Sequence, residues 1–187
     1  MHENIAFLKG FLQHPGDISS VIPTSQIAVK RVIDLIDGSQ KRVIVEYGPG
    51  TGVLMKQLLK KGKLTDDSEV ILIEKTPEFA DMLRQNIHDP RVKVFCDSAE
   101  NVKEILQQCG HTHADYILSS IPFSIFSEDL RNSILENTRD VLSDDGTFIV
   151  YLFRLRVRDY LKEYFLSVHT DRELRNIPPL YIFQARR

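Results

Sequence analysis

The sequence predicts an α/β fold, namely a Rossmann-like, doubly wound, mostly parallel seven-stranded sheet with an antiparallel C-terminal hairpin strand. From residue 43 onward, short β-branched apolar runs alternate with segments of helical periodicity, which is typical of parallel strands joined by helices. The chain then closes with two strand-like runs, Tyr164–Thr170 and Leu174–Gln184, that have no helix between them. An acidic residue follows each of the first three strands, at the edge where open α/β sheets bind ligands.

Length and composition indicate one domain. A chain of 187 residues buries about 70% of its unfolded surface, and 42% hydrophobic with 27% charged residues is typical of a globular protein. We expect residues 1–38 to form an N-terminal helical flap and residues 39–187 a Rossmann-like core. We also expect a monomer.

Several classes of partner and location are disfavoured. The net charge of −2 gives no basic footprint for nucleic acid. The two cysteines are too few for a disulfide scaffold, Cys96 is expected to be a core thiol, and no Cys and His spacing indicates a metal site. Without a signal peptide or an apolar run of about 20 residues, a cytoplasmic location is expected.

The N-terminal stretch allows two interpretations. Residues 1–12 place four apolar side chains on one helical face, and the helix would end at the His-Pro-Gly sequence 14–16. Such a stripe packs on its own core or docks at a membrane interface, peripheral to the inner membrane. Lys9 is the one lysine or arginine on the polar face, so attraction to anionic lipids would be weak. The local pattern therefore favours packing of this helix on the protein core.

The remaining elements follow from periodicity and capping signals. Predicted helices lie at about 25–36, 53–60, 77–87, 99–108 and 127–142, and predicted strands at 43–46, 70–74, 91–96, 114–119 and 146–153. Ser25 or Thr24 caps the first helix and Gly38 ends it. Arg154, Arg156 and Arg158 alternate with apolar residues, so we expect them to share one face of a strand.

The stretch from Glu46 to Gly52 carries the strongest signal of function. A glycine stands at every second position, Gly48, Gly50 and Gly52, with Pro49 and Thr51 between them, so the loop can take positive φ and approach a ligand closely. The helix that follows adds free amides. A dinucleotide fingerprint needs its third glycine at position 53, which is Val53, and Glu46 would repel a pyrophosphate.

A cationic, phosphate-free nucleoside fits this acidic neighbourhood better. S-adenosylmethionine carries a sulfonium and an ammonium group, and the sequence Glu46-Tyr47-Gly48-Pro49-Gly50-Thr51-Gly52 resembles the first motif of class I S-adenosylmethionine-dependent methyltransferases. The resemblance implies S-adenosyl-L-methionine as cofactor and S-adenosyl-L-homocysteine as product. In this interpretation Glu46 and the glycine loop hold the methionine end.

Further cofactor contacts are predicted at the ends of the next two strands. Glu74, with Lys75 beside it, lies 22 residues after Gly52, where a carboxylate can accept two hydrogen bonds from a ribose diol. Asp97 with Ser98 is assigned to the adenine by the resemblance, but Asp97 is equally suited to cap the next helix. Thr24 and Ser25 either cap their helix or close over the cofactor.

The exit of the fourth strand is the candidate acceptor site. Its hydroxyls and the carbonyls that follow would orient an acceptor amine, and an aromatic side chain would form a wall. These residues are Ser119, Ser120, Ile121, Pro122 and Phe123. No firm general base is evident; Tyr47 and Tyr151 are the candidates.

The two ends of the chain resemble one particular family of methyltransferases. Residues 7–11, Pro15 and 21–25, together with the ending 174–179, are similar to bacterial phospholipid N-methyltransferases. That family methylates the amine of phosphatidylethanolamine stepwise at the membrane surface, which implies peripheral membrane contact through residues 1–14. The three arginines after the fifth strand would then meet a lipid phosphate or form a solvated charge run.

Two alternatives stay open. Ser120-Ile121-Pro122-Phe123 also resembles the N-L-P-Y type motif of rRNA adenine dimethyltransferases, with Ser120 in place of the asparagine. Serine lacks a planar amide, and this chain has no residues for the additional C-terminal helical domain of those enzymes. The second alternative is a module that binds S-adenosylmethionine without catalysis.

Overall fold

A computed structural model describes residues 25–187. Seven strands form one sheet in the order β3-β2-β1-β4-β5-β7-β6. The strands are β1 (Val43–Tyr47), β2 (Glu69–Glu74), β3 (Val92–Cys96), β4 (Ala114–Ser119), β5 (Leu142–Leu152), β6 (Ser167–Glu173) and β7 (Leu180–Arg186). The first five pair in parallel, and β7 pairs antiparallel to both β5 and β6. The predicted fold class is confirmed.

Six α-helices lie within the described part of the chain. They are α1 (Gln26–Asp34), α2 (Val53–Lys60), α3 (Pro77–Asn86), α4 (Val102–Gln108), α5 (Glu128–Val141) and α6 (Val157–Tyr164). Short 3₁₀ turns cover Ala99–Asn101 and Phe123–Ile125. Ser25 and Ser127 cap α1 and α5 through side-chain oxygens that accept from backbone amides, as their positions predicted. The predicted helix at residues 1–12 and the residue Thr24 lie outside the described residues.

The two faces of the sheet carry separate apolar layers. One layer joins Ile44, Leu72 and Leu118 to helices α1, α2 and α3, and the other joins Val45, Ile117 and helices α4 to α6. Successive side chains of a strand point to opposite faces, so near-continuous apolar runs are what a strand covered on both sides requires. This alternation also decides which strand-end residues share a face.

The strand order places the ligand-binding edge. The chain winds outward through β1, β2 and β3, then returns to place β4 on the other side of β1. The order therefore reverses between β1 and β4, and open α/β sheets bind ligands in the crevice at the carboxyl ends of such a pair. Because β7 is antiparallel, the turn between β6 and β7 lies at this same edge.

Some predicted boundaries and contacts were wrong. Strand β5 begins at Leu142 rather than Gly146, and the hairpin strands are displaced from the predicted spans. Arg154, Arg156 and Arg158 do not share a strand face, because β5 ends at Leu152 and α6 begins at Val157. Cys96 is exposed rather than a core thiol, since it ends the edge strand β3.

Helix α1 is hydrogen-bonded to the hairpin formed by β6 and β7. The backbone amide of Ser25 donates to the Oδ1 atom of Asn176 at 2.9 Å, and the buried Asn176 amide also donates to the carbonyl of Pro178. Arg31 of α1 reaches the carbonyl of Arg172 and the carboxylate of Glu173. Ser25, the one described residue of the N-terminal stretch that carried the narrower resemblance, therefore contacts the C-terminal stretch.

Candidate cofactor and acceptor site

The glycine loop has the predicted left-handed backbone. Gly48, Gly50 and Gly52 have φ values of 62°, 53° and 74°. A Cβ on Gly48 would lie 2.7 Å from the Cγ2 atom of Ile121, and one on Gly52 would lie 2.6 Å from the Cδ2 atom of Leu83. A Cβ on Gly50 would meet nothing within 4 Å, so the middle of the loop faces open space.

Glu74 fixes the loop from the neighbouring strand. Its Oε2 atom accepts from the backbone amide of Gly50 at 3.0 Å, and its Oε1 atom accepts from the amide of Thr76 at 2.9 Å. Glu74 is buried, whereas Lys75 is exposed. The carboxylate at the end of β2 is therefore held beside the glycines by backbone donors.

Asp97 stands next along the edge. Its backbone amide donates to the carbonyl of Glu74, and its Oδ1 atom accepts from the amide of Ser98 and from the side chain of Asn101, both at 2.7 Å. Ser98, not Asp97, lies at the cap position of the short helical turn. The capping alternative for Asp97 is thus wrong, and Asn101, which the sequence did not single out, holds its carboxylate.

Glu46 is the most unusual charge of the site. It is 1% exposed, its Oε1 atom accepts from the Tyr151 hydroxyl at 3.1 Å, and its Oε2 atom has no partner among the described residues. Burial raises the pKa of Glu46 to about 7, the nearby charge of Glu74 adds to the rise, and the Tyr151 hydrogen bond opposes it. An unpartnered buried carboxylate oxygen is costly, which indicates a ligand that supplies a donor or a cation.

The serines at the exit of β4 point to different faces. Ser119 is fully buried and its Oγ atom accepts from the amide of Ile121 at 3.3 Å. Ser120, one residue on, is partly buried, and the pairing of Ser119 with Val150 brings it beside Tyr151, on the face that also carries Glu46. Ser120 is therefore the serine on the face of the β1 acid, and Ser119 supports the loop.

The other predicted site residues divide between site and core. The Tyr47 hydroxyl bonds to Thr138 at 3.1 Å in the opposite apolar layer, and burial raises its pKa, so the suggestion that Tyr47 is a general base is wrong. Phe123 is fully buried against Phe126 and Phe148. Its role as a wall stays a prediction. Five other predicted site residues differ in their exposure to solvent. Pro49 is buried and Thr51 is exposed, and the partly buried ones are Ser25, Ile121 and Pro122.

Within residues 25–187 no group of three or more His, Cys, Asp or Glu side chains is arranged to hold a metal ion. In the same range no helix combines the length and apolar character needed to cross a membrane.

Fold and site together define an α/β domain with a ligand-binding crevice at the carboxyl edge of its sheet, and comparison with known proteins identifies the family. Residues 44–146 match the family model described as "Methyltransferase domain". The chain belongs to this family and is an S-adenosylmethionine-dependent methyltransferase. An ornithine lipid N-methyltransferase from Singulisphaera acidiphila is 30% identical over 189 aligned residues, covering 100% of this chain and 97% of that protein.

Two further comparisons are more distant. A ribosomal RNA small subunit methyltransferase A from Mycoplasma capricolum is 25% identical over 104 residues, covering 54% of this chain and 37% of that protein. The crystal structure of 1,6-didemethyltoxoflavin-N1-methyltransferase from Burkholderia thailandensis, which holds S-adenosylhomocysteine, matches with a TM-score of 0.65 at 16% identity. The match covers 100% of this chain and 89% of that one.

The residues of the edge fit the cofactor of the family. A cationic ligand would satisfy the free Oε2 atom of Glu46, and the open space at Gly50, where a Cβ would meet nothing within 4 Å, would leave room for a ligand at the loop. Glu74 retains lone pairs for a diol, since each carboxylate oxygen accepts one backbone amide. When bound, S-adenosylmethionine supplies an electrophilic methyl group.

Proposed function

We propose that the enzyme methylates an amine in the polar headgroup of a membrane lipid. The observation that carries this proposal is an apolar rim at the ligand-binding edge, formed by exposed side chains of the loops after β4 and β5 and of the β6–β7 turn. The apolar rim comprises Ile125, Leu155, Leu174 and Ile177. Leu174 is 65% exposed and Ile177 is 89% exposed.

The rim suits a lipid surface for two reasons. Exposed apolar side chains around a site favour contact with an apolar phase, because their burial is favourable by about 25 cal/mol per Å². Arg154, Arg156 and Arg175 stand in the same loops, so anionic headgroups would meet cations beside the apolar groups. The rim residues belong to loops at the same edge of the sheet as the acceptor loop, which therefore would face the headgroup region.

The relatives support an amine on a lipid. The Singulisphaera acidiphila relative is named for ornithine lipid, and the terminal stretches resemble enzymes that methylate phosphatidylethanolamine. Both lipids present a primary amine at the membrane surface. We take this shared chemistry as the substrate class, with phosphatidylethanolamine and ornithine lipid as its two sources.

The reaction needs alignment more than acid–base chemistry. The lone pair of the neutral amine nitrogen forms the new N–C bond as the C–S bond of the donor breaks, and the nitrogen takes the positive charge. One of its protons then leaves to water. In this proposal Glu46, the glycine loop, Glu74 and Asp97 hold the donor, and the loop after β4 orients the amine. Such alignment supplies about 7–11 kcal/mol in well-oriented reactions.

Ribosomal RNA is the second candidate acceptor. It is favoured by the sequence Ser120-Ile121-Pro122-Phe123 and by the matches to ribosomal RNA small subunit methyltransferases, of which this chain covers 37–48%. The net charge of −2 and the apolar rim weigh against a polyanionic partner.

A methyl-transfer assay separates the candidates. The full chain with labelled S-adenosylmethionine is offered vesicles containing phosphatidylethanolamine, vesicles containing ornithine lipid, and naked small-subunit rRNA. We expect label in one or both lipids and none in RNA. Label confined to RNA would establish the second candidate, and cofactor binding without label in any fraction would leave a non-catalytic module.

Vesicle flotation tests the apolar rim. The change of Leu174 and Ile177 to aspartate should lower binding to anionic vesicles about 10-fold or more, because two exposed apolar anchors become charges. Leu166 is the matched control: it is 92% exposed but precedes β6, at the opposite edge of the sheet. Leu166→Asp should bind vesicles as the unmodified chain does. Equal losses of vesicle binding in both variants would show that the apolar rim is not the membrane-binding surface.

A further inference from the structure

The buried hydroxyl of Tyr151 reaches Glu46 across an intervening strand. Glu46 lies near the end of β1 and Tyr151 near the end of β5, and β4 lies between these two strands. In register Glu46 pairs with Leu118 of β4, and Leu118 pairs with Ile149 of β5. Tyr151 is therefore two residues nearer the carboxyl edge than the residue of β5 that is level with Glu46, and its side chain crosses β4 to meet the carboxylate.

The carboxylate of Glu46 is held at one oxygen and free at the other. Its Oε1 atom accepts from the Tyr151 hydroxyl at 3.1 Å, and its Oε2 atom has no partner within residues 25–187. Both side chains are buried, with 1% of Glu46 and 4% of Tyr151 exposed. The terminal torsion of a glutamate side chain has only broad preferences, so this hydrogen bond sets the direction in which Oε2 points.

The other neighbours of Glu46 supply no competing donor in the described part of the chain. The buried residues of α1, α2 and α3, which cover this face of the sheet, are apolar. Glu74 at the end of β2 is the nearby charge, and its own oxygens accept backbone amides. On β4 the hydroxyl of Tyr116 lies toward the amino end of the sheet, where it accepts from a backbone amide. The orientation of the Glu46 carboxylate therefore depends on Tyr151.

Tyr151 keeps its proton in this setting. Burial first, and then the negative charge of Glu46, raise the pKa of Tyr151 well above its ordinary value. The suggestion from the sequence that Tyr151 is a general base therefore disagrees with its surroundings. A hydroxyl that stays protonated is instead a permanent donor to the carboxylate.

We propose that Tyr151 is a positioning residue, which holds one oxygen of Glu46 so that the other is presented to the cationic groups at the methionine end of S-adenosylmethionine. The inference rests on the cofactor of the family and not on the choice of methyl acceptor, so it goes beyond the proposed function. Glu46 stands two residues before Gly48, where the order of strands reverses between β1 and β4. A sulfonium or ammonium group in that crevice would compensate the charge that Oε2 carries without a partner.

A coupling between cofactor binding and a proton follows from this arrangement. Burial raises the pKa of Glu46 to about 7, so a part of the cofactor-free enzyme is protonated there at neutral pH. A cation beside Oε2 favours the ionised carboxylate, so binding should release this proton, and cofactor affinity should fall as the pH falls below about 7. The hydrogen bond from Tyr151 also favours the ionised form, so its removal should move this loss of affinity to higher pH.

The experiment uses three ligands that differ at the amino-acid end. S-adenosylmethionine carries a sulfonium and an ammonium group, S-adenosylhomocysteine carries the ammonium alone, and 5′-methylthioadenosine carries neither. Calorimetry between about pH 5.5 and 8 gives the Kd of each ligand for the full chain, for Tyr151→Phe and for Tyr116→Phe. Tyr116→Phe is the matched control, because it removes a tyrosine hydroxyl on the same face of the sheet but toward its opposite end.

We expect Tyr151→Phe to bind S-adenosylmethionine and S-adenosylhomocysteine about 10-fold more weakly at pH 7, the effect of one lost hydrogen bond to a charged group. Binding of 5′-methylthioadenosine should change by less than about twofold, a difference between ligands that a general loss of structure would not produce. Tyr116→Phe should bind all three ligands as the unmodified chain does. The pH below which S-adenosylhomocysteine binding weakens should rise in Tyr151→Phe alone.

Two results with Tyr151→Phe overturn the inference. Equal losses for all three ligands would show that Tyr151 supports the fold and not the amino-acid end, and unchanged affinities would exclude any role in binding. If this variant does not fold, Glu46→Gln is measured instead. A loss limited to the two amino-acid ligands then supports the inference, whereas full S-adenosylhomocysteine affinity leaves Tyr151 no ligand-binding carboxylate to position. These measurements need no methyl acceptor, so they remain valid if the enzyme labels no lipid amine.

Discussion

Two buried glutamates of this enzyme have opposite surroundings. Glu46 is 1% exposed, has one hydroxyl donor and no cation beside it among residues 25–187, and its pKa is raised to about 7. Glu173 is 2% exposed, accepts from the backbone and guanidinium of Arg175 and from Arg31, and its pKa is lowered to about 2. Glu173 is covered by its own partners at the surface of the hairpin, whereas Glu46 lies within the central sheet.

The difference indicates what each carboxylate is for. All the acceptor sites of Glu173 face donors of the protein, so this residue fastens α1 to the hairpin and has little capacity for a ligand. Glu46 keeps an oxygen without a partner in the described part of the chain, at the edge where open α/β sheets bind ligands. A fold can tolerate such a group if a ligand compensates it, and a cationic ligand at Glu46 would do so in the working enzyme.

The largest expected effect is on cofactor affinity. Glu46→Gln keeps the shape and the bond from Tyr151 but removes the charge, so S-adenosylmethionine should bind about 10- to 100-fold more weakly at pH 8, the range expected for a lost charge-assisted hydrogen bond. Glu173→Gln serves as the control and should bind normally. Calorimetry measures both, and equal losses would mean that the two glutamates do not differ in function.

The next prediction concerns pH. The pKa of Glu46 is raised from its ordinary 4.5 to about 7 by burial, so the folded state binds a proton more tightly than the unfolded chain between these values. Stability of the cofactor-free enzyme should therefore fall as pH rises from about 5 to 8, by about 3 kcal/mol if the whole difference is expressed. Urea unfolding should show this fall in the unmodified enzyme and a flatter profile in Glu46→Gln.

Glu173 should show the opposite dependence. Its folded pKa is held low, chiefly by the hydrogen bonds of Arg175, so its contribution to stability is complete above about pH 5 and is lost as pH falls toward 2. Glu173→Gln should lower the melting temperature at pH 7 by about 2–4 °C and reduce the acid sensitivity. A scan of melting temperature from pH 3 to 7 measures both. If the melting temperature of Glu173→Gln falls in acid as steeply as that of the unmodified enzyme, other carboxylates cause the acid sensitivity.

The sequence predicted the parts of the site that depend on local pattern. The glycines 48, 50 and 52 have the expected positive φ, and Glu74 contacts their loop, because a strand–loop–helix unit is specified by residues close in the chain. The link from Glu46 to Tyr151 spans 105 residues and depends on β5 lying two strands from β1. Periodicity does not reveal such a pair, since Tyr151 reads as one more apolar strand residue.

The errors have the same origin. The stretch 154–158 alternates like a strand, but β5 has already ended, and Arg131 and Arg156 instead approach the ring of Tyr160. Cys96 lies in an apolar run, yet its strand is at the edge of the sheet and leaves it exposed. Which strand lies at an edge, and where a strand gives way to a helix, depend on tertiary packing that a window of sequence does not contain.

The smallest effect should come from changing one partner of Glu173. Arg175→Gln removes the guanidinium that contacts both carboxylate oxygens but leaves Arg31, whose Nη1 atom lies 3.4 Å from Oε2. Because the Arg175 side chain is largely exposed, solvent screens much of its charge, and the melting temperature at pH 7 should fall less than in Glu173→Gln. The pKa of Glu173 should rise toward its ordinary value, so the loss of stability in acid should begin at higher pH. A drop as large as that of Glu173→Gln would show that Arg31 alone does not hold the carboxylate, and that the contact of α1 with the hairpin depends on Arg175 as well.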